Sequence, residues 1–303
     1  MDLDKFIMQD SVNGTIFHTS KFLSYHFYKF KDVLFGVKGI YCTMAEQDGM
    51  LVSHPGSSYG GPVFAPSVRY SDLYSFISML VRDSKKNGLA GIRMRLAPKV
   101  FWREQRDDLD FALLQHGFSS EEELSSAIYL PTHKGSMDFS SSARGSYVKG
   151  VRAGLTSREI GGRDSDQMAR FYLLLKQNLK KHDVTPTHTL IELIALREML
   201  PEYFRFHQVF FEGKIIAGSM VVVCNDQGVH TFYLCQDYDY QKLRPMNYLM
   251  YSLIKTYQGY GYKYLNLGIS TEDSGKTLNG GLLRFKEGFG AKGVIRRTYT
   301  LKY

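Results

Sequence analysis

Three cysteines in 303 residues are too few and too scattered for a disulfide framework or a zinc site: Cys42, Cys224 and Cys235 show no paired spacing. All three fall in segments that read as strands, which makes them core residues. No apolar run approaches the roughly 20 residues of a membrane span, and the acidic start Met1-Asp2-Leu3-Asp4 is not a secretion signal. A cytoplasmic location is expected. A compact arginine-rich arm and an aromatic RNA-binding motif are also missing. The formal charge of +8 therefore points to anionic partners without choosing between a phosphate-bearing small molecule and RNA, and DNA is not expected. A metal is not expected either. His182 and His188 flank residues 183–187 but lack a third ligand, and they suit a loop and cap better.

Low-complexity sequence is confined to Gly135–Gly145, which reads as a linker or exposed loop. It divides the chain into residues 1–146 and 147–303. With 44% hydrophobic and 22% charged residues the composition is that of a globular chain, long enough for two domains.

Periodicity supplies the elements. From Val229 to Cys235 the chain is aromatic and β-branched, as in a half-buried strand. Arg244-Pro245 then opens a helix with Met246, Leu249, Met250, Leu253, Ile254 and Tyr257 at helical spacing, proline being allowed in the first turn. A strand from Lys263 to Gly268, a short helix from Leu278 to Phe285 and a closing strand from Val294 to Tyr303 complete a β-α-β-α-β order. The first half repeats it. Strands from Lys31 to Met44 and Gly49 to Val52 precede a helix from Tyr70 to Lys86, a strand from Gly91 to Leu96, a helix from Leu109 to Gln115 and a strand from Ala127 to Pro131. Gly88 and Gly117 are matched by Gly261 and Gly288, so two copies of one module are expected. The second copy also has a strand from Leu155 to Ile160, helices from Asp164 to His182 and Leu190 to Leu200, and a hairpin of Phe204–Phe211 with Ile215–Val223.

This order resembles the acyltransferase fold of the GNAT superfamily, and within it the FemAB-like group, in which two such modules are fused. The expected class is therefore α/β (α+β), each module a mixed, mostly antiparallel sheet flanked by helices. The pieces that carry the resemblance are Gly14–Leu23, Ser57–Pro62, Lys214–Gly218, His230–Tyr233, Arg244–Asn247, Leu265–Ser270 and Arg284–Gly290. One departure stands out. Coenzyme A-binding members carry a glycine loop before the main helix, whereas this chain has Gln241-Lys-Leu-Arg-Pro-Met-Asn247, as the FemAB-like group also lacks that loop.

The resemblance implies transfer of an acyl or aminoacyl group to an amine. The donor is acyl-coenzyme A in most of the superfamily and aminoacyl-tRNA in the peptidoglycan-bridge Fem enzymes; no permanently bound cofactor is implied. It places Tyr233 to Gln236 beside the donor, with Arg244 and the amides of Met246 and Asn247 facing its phosphates at a helix N-terminus. A plain helix start explains Pro245 and Asn247 equally well. Lys286 is implied to stabilise the oxyanion or position phosphate. Glu272, Asp273 and His230 are the candidate bases, because Asn266 replaces the acid of many relatives and cannot accept a proton at neutral pH. Tyr59, Asn266, Ser270 and Phe285 lie in the matched pieces and are implied to meet the substrate. The expected function is a cytoplasmic N-acyltransferase that moves an acyl group from a thioester to an amine of a sugar nucleotide, cell-envelope precursor or amino acid. Two alternatives remain open: an aminoacyl-tRNA-dependent Fem-type transferase, and a non-catalytic binding protein with the same fold.

Overall fold

A computed structural model describes residues 2–26, 30–160, 164–181 and 183–303. Strands run over Val33–Val37 (β1), Ile40–Gln47 (β2), Met50–Ser53 (β3), Val63–Phe64 (β4), Gly91–Arg95 (β5), Ser119–Tyr129 (β6) and Thr156–Glu159 (β7). They continue with Phe204–Phe211 (β8), Lys214–Val223 (β9), Gly228–Gln236 (β10), Tyr264–Ile269 (β11), Thr271–Glu272 (β12), Thr277–Leu278 (β13) and Lys292–Lys302 (β14). Helices occupy Leu3–Lys5 (α1), Ser20–Leu23 (α2), Tyr70–Lys86 (α3), Asp108–Gln115 (α4), Ser141–Arg152 (α5), Ser165–Lys180 (α6), Leu190–Met199 (α7), Pro245–Gly259 (α8) and Gly280–Glu287 (α9). His182 lies outside the described residues.

The longer helices follow from apolar spacing and capping. On α3, Leu73, Phe76, Ile77 and Leu80 are buried along one face. α7 starts at a capping box in which the Thr189 side chain accepts from Glu192 N and the Glu192 carboxylate accepts from Thr189 N. α8 has proline in its first turn and buries Leu249, Met250, Leu253, Ile254 and Tyr257 completely. Each of those side chains contributes about 1.5–3 kcal/mol on burial, which holds the helix to the sheet.

The sheet order is β1-β2-β3-β5-β14-β6-β11-β10-β9-β8-β7, with β4 attached to β2. Two exchanged strands define it. β14, the last strand of the second half, lies between β5 and β6 of the first; β6 in turn lies between β14 and β11. The halves match pair by pair: β3 runs parallel to β5 as β10 does to β11, and β5 runs antiparallel to β14 as β11 does to β6. The repeat read in the sequence is real in topology, with the closing strand of each copy seated in the other.

Several local readings need correction. The strand expected from Lys31 to Met44 is a hairpin, turned at Lys38 (φ 48°) and Gly39 (φ 80°), the left-handed pair that a two-residue hairpin turn requires. Gly117 and Gly288 are not conformational equivalents: Gly117 has φ 81°, whereas Gly288 is right-handed at −56° and the left-handed glycine is Gly290. The stretch Gly135–Gly145 is no open linker. It forms a 3₁₀ turn over Gly135–Asp138 and the start of α5, which packs on α8, and the 146/147 boundary falls inside that helix. β6 begins at Ser119, well before the expected Ala127, because cross-strand pairing neutralises its acidic run: Glu123 meets Arg296 and Glu122 meets Arg297. The helix expected from Leu278 to Phe285 is α9, capped by Asn279, and Leu278 belongs to β13.

Helices cover the sheet unevenly. In the second half α6 packs with Phe204, Phe206, Met220 and Val222, while α8 packs with Val209, Val221, Val223 and Val229 of the opposite face. In the first half α3 and α4 cover Ile92, Met94 and Tyr299. Arg93 and Arg95, which alternate with Ile92 and Met94, are exposed on the other face.

Candidate active site in the cleft between the halves

On that other face a cleft of about 630 Å³ crosses the central strands. Its floor comes from both halves: Arg93 and Arg95 of β5, Arg296 of β14, Ser125 of β6, Gly268 and Ile269 of β11, and His230, Phe232 and Leu234 of β10. Phe17, Phe22 and the loop from Gly56 to Tyr59 form one wall, with Leu282 and Lys286 of α9 contributing another.

β10 and β11 pair only over three registers, the last being His230 with Asn266. Beyond it the strands part. At that point Asn266 Oδ1 accepts from Gly268 N at 2.8 Å and from Ser125 Oγ at 3.2 Å, and it lies 3.1 Å from His230 Nδ1. A backbone amide can only donate, so the Asn266 atom facing it is oxygen. The same oxygen then obliges His230 Nδ1 to carry the proton, which leaves the lone pair on Nε2. Burial lowers the His230 pKa to about 4, with the Asn266 bond opposing and Arg296 and Lys286 adding to the drop. The imidazole is neutral at pH 7.

Lys286 is nearly inaccessible, yet it lines the cleft. Its Nζ donates to Gly268 O at 2.8 Å and to Ile269 O at 2.6 Å, two of the three bonds an ammonium can make. Those carbonyls turn toward it because the β11–β6 register breaks between Asn266 and Ile269, where Gly268 takes φ 74°. A Cβ at Gly268 would stand in van der Waals contact with His230 Cε1, 3.4 Å away, so the positive φ is what favours glycine here. Burial lowers the Lys286 pKa to about 8.

Tyr59 is buried, lines the cleft and packs on Phe17, Phe101 and His230, with ring centroids 5.4, 5.7 and 6.0 Å away. Burial raises its pKa. The charges of the lining are one-sided: Arg93, Arg95, Arg296 and Lys286, and, among the described residues, no carboxylate.

The sequence model of the acetyltransferase (GNAT) domain family matches residues 140–286. The crystal structure of FemX superposes with a TM-score of 0.71 at 12% identity, covering 98% of this chain and 94% of FemX. The chain has the FemAB-like fold, with a GNAT domain over residues 140–286. L-PGS from Bacillus licheniformis is similar at TM-score 0.63 and 13% identity, over 88% of this chain and 83% of that one. A conserved protein of unknown function from Bacteroides thetaiotaomicron reaches 0.68 at 15% identity, over 99% and 95%. No curated protein sequence matches the chain.

Within this FemAB-like frame the residues expected from sequence divide into two groups. Lys286, His230 and Tyr59 converge on the cleft, and Asn266 is buried directly behind His230. Glu272 does not join them: it is exposed in the small β12–β13 hairpin, where it accepts from Asn279 Nδ2 at 3.0 Å. Ser270 is buried outside the lining, its N–H bonded to Leu124 O, and Phe285 turns into the core against Phe289. Neither lines the cleft.

The residues expected beside the donor stand apart as well. Tyr233 is buried, its hydroxyl taking the His188 N–H at 3.3 Å. Gln236 N is already bonded to Asn178 Oδ1 at 2.9 Å. Arg244, Met246 and Asn247 lie outside the cleft at the start of α8, where a 3₁₀ turn over Tyr238–Leu243 and a left-handed Arg244 (φ 61°) replace the glycine loop. Sequence reading missed Arg93, Arg95, Arg296, Phe17, Phe22 and His188. Phe17 and Phe22 fall within the Gly14–Leu23 piece, and the signal for the arginines was the alternation of Arg93 and Arg95 with Ile92 and Met94, a charged face on a strand whose other face is core.

Proposed function

We propose that the protein is an N-acyltransferase whose cleft holds an amine acceptor, with the donor carbonyl delivered where β10 and β11 part. The observation that carries this reading is the His230–Asn266 pair at that divergence, its Nε2 lone pair available for a proton. The acceptor nitrogen attacks the donor carbonyl carbon, and its proton passes to His230 Nε2. The carbonyl electrons gather on oxygen and return as the bond to the leaving sulfur or oxygen breaks, and the leaving group takes the proton from His230. Two features of the cleft support that course. Its excess of cations disfavours an ammonium, so a bound amine is held in its nucleophilic, neutral form. The charge of Lys286 favours the oxyanion.

A thioester such as acyl-coenzyme A is the donor in this reading, acting as a substrate. The lack of a glycine loop before α8 weakens the case for coenzyme A and keeps aminoacyl-tRNA as the second donor. The acceptor is an amine of a sugar nucleotide, cell-envelope precursor or amino acid, and the setting is cytoplasmic. Among the described residues no helix is long and apolar enough to cross a membrane.

The test is transfer itself. Purified protein is offered labelled acyl-thioesters and charged tRNA with a panel of amines, beside His230→Ala. Label passing to an amine, and lost with His230→Ala, supports the reading. Binding of a donor without transfer to any amine would leave a non-catalytic protein.

A further inference from the structure

We infer that Arg93, Arg95 and Arg296 form a phosphate-binding subsite of the cleft, so that the acceptor carries a phosphoryl group remote from its amine. Naming the ligand as the acceptor rests on the transferase reading; the anion site itself does not.

The three guanidiniums share one face of two adjacent strands. Arg95 pairs across the sheet with Thr298, whose hydroxyl accepts from its Nε at 3.4 Å, and Arg296 lies two residues from Thr298 on the same face. Glu123, opposite Arg296 on β6, holds that side chain through Nε at 2.8 Å and Nη2 at 2.6 Å. Among the described residues no carboxylate pairs with Arg93 or Arg95. Three cations are thus met by one anion. Although Arg95 opens to the cleft, desolvation by the surrounding protein lowers its pKa, and Arg296 is the next largest cause, with Arg93 adding to it, so the cluster stands in mutual electrostatic range.

The surroundings favour a phosphoryl group over a carboxylate. One guanidinium fork fills the plane of a carboxylate, whereas tetrahedral phosphate oxygens accept from several directions. Neutral groups in the lining add to that choice: Ser57 and Ser58 of the wall loop, and Gln47. A second cavity of about 70 Å³ has Gly56, Ser57, Gln47, Arg93 and Arg95 in its lining too, so these residues border both spaces.

Position sets the shape of the ligand. From β14 to β11 is two strand steps and from β5 to β11 is three. At about 4.8 Å per step, phosphate over the arginines lies about 10–14 Å from the reactive end at Gly268 and Lys286. The acceptor is extended, with its amine over β11 and its phosphate over β5 and β14.

The test is calorimetric titration of the whole chain with pyrophosphate, inorganic phosphate and succinate. Two double variants accompany it: Arg93→Met with Arg95→Met, and, removing equal charge elsewhere, Lys85→Met with Lys86→Met on α3. Thermal midpoints confirm that both fold. Saturable binding of a phosphate probe is expected, with succinate at least roughly tenfold weaker, the arginine variant weakened roughly tenfold or more and the lysine variant unchanged. No binding to the wild type, equal binding of succinate, or equal loss in the lysine variant overturns the site. The titration needs no turnover. Phosphate binding without transfer would sink the transferase reading alone, and transfer without phosphate binding would sink this inference alone.

Discussion

Asn266 Oδ1 sits 3.1 Å from His230 Nδ1 at the last register that joins β10 to β11. The bond fixes the imidazole tautomer and places it where the sheet opens, so a residue unable to act as a base sets up one that can.

Asn266→Ala should lower kcat by roughly 10²-fold, the low end of what a positioned base contributes, with little change in donor KM. Asn266→Asp keeps an acceptor on Nδ1 but adds a negative charge, which favours the imidazolium. Its activity should persist with the acid limb of the pH profile moved upward. Unchanged kcat in Asn266→Ala would show that the pair is only structural.

The wild-type pH–rate profile should be a plateau. His230 must be neutral to accept a proton, so activity falls as pH drops through about 4. Lys286 carries its charge below about 8 and loses it as pH rises through that value. Lys286→Met should abolish the alkaline limb and lower the plateau. An alkaline limb that survives the substitution would assign it to another group.

Lys286→Met should also destabilise the fold by about 1–3 kcal/mol, since it leaves the Gly268 and Ile269 carbonyls without their donor. Urea unfolding would measure this. A loss near zero would mean that water replaces the ammonium.

Stability should decline as pH falls from about 6.5 to 4. His18 and His207 are lowered by burial to about 4 and about 3, so in this window the unfolded chain takes up protons that the folded chain does not. The stability they contribute is whole above the unfolded value of about 6.5 and is lost toward their folded values. Thermal midpoints across this range should slope less steeply in His18→Asn. An identical slope would place the proton uptake elsewhere.

The exchanged strands make the halves interdependent. Produced separately, residues 1–134 lack β14, which lies between β5 and β6, and residues 135–303 lack β6, which borders β11. Each should be insoluble or aggregated alone, because unpaired strand edges remain, and co-expression should yield a 1:1 complex. Two well-folded monomers on size exclusion would contradict this.

Sequence alone determined what short-range spacing and chain chemistry decide. The apolar stripe of Tyr70–Lys86 appears as α3 at the same bounds, Pro245 opens α8, and Phe204–Phe211 is β8. The β-α-β-α-β order of both halves was legible for the same reason, and the resemblance built on it pointed to Lys286, His230 and Tyr59, which the fold brings to one cleft. Tertiary structure alone decided which strands pair. The exchange of β6 and β14 depends on contacts between residues some 170 apart, such as Arg296 with Glu123, and no local period encodes such a register. That pairing sets Arg296 beside Arg93 and Arg95 and stabilises the acidic stretch of β6 as a strand, while the pairing of β10 with β11 brings Asn266 to His230. It also leaves Glu272 and Arg244 outside the cleft, because side-chain convergence follows from how the sheet closes and not from position along the chain.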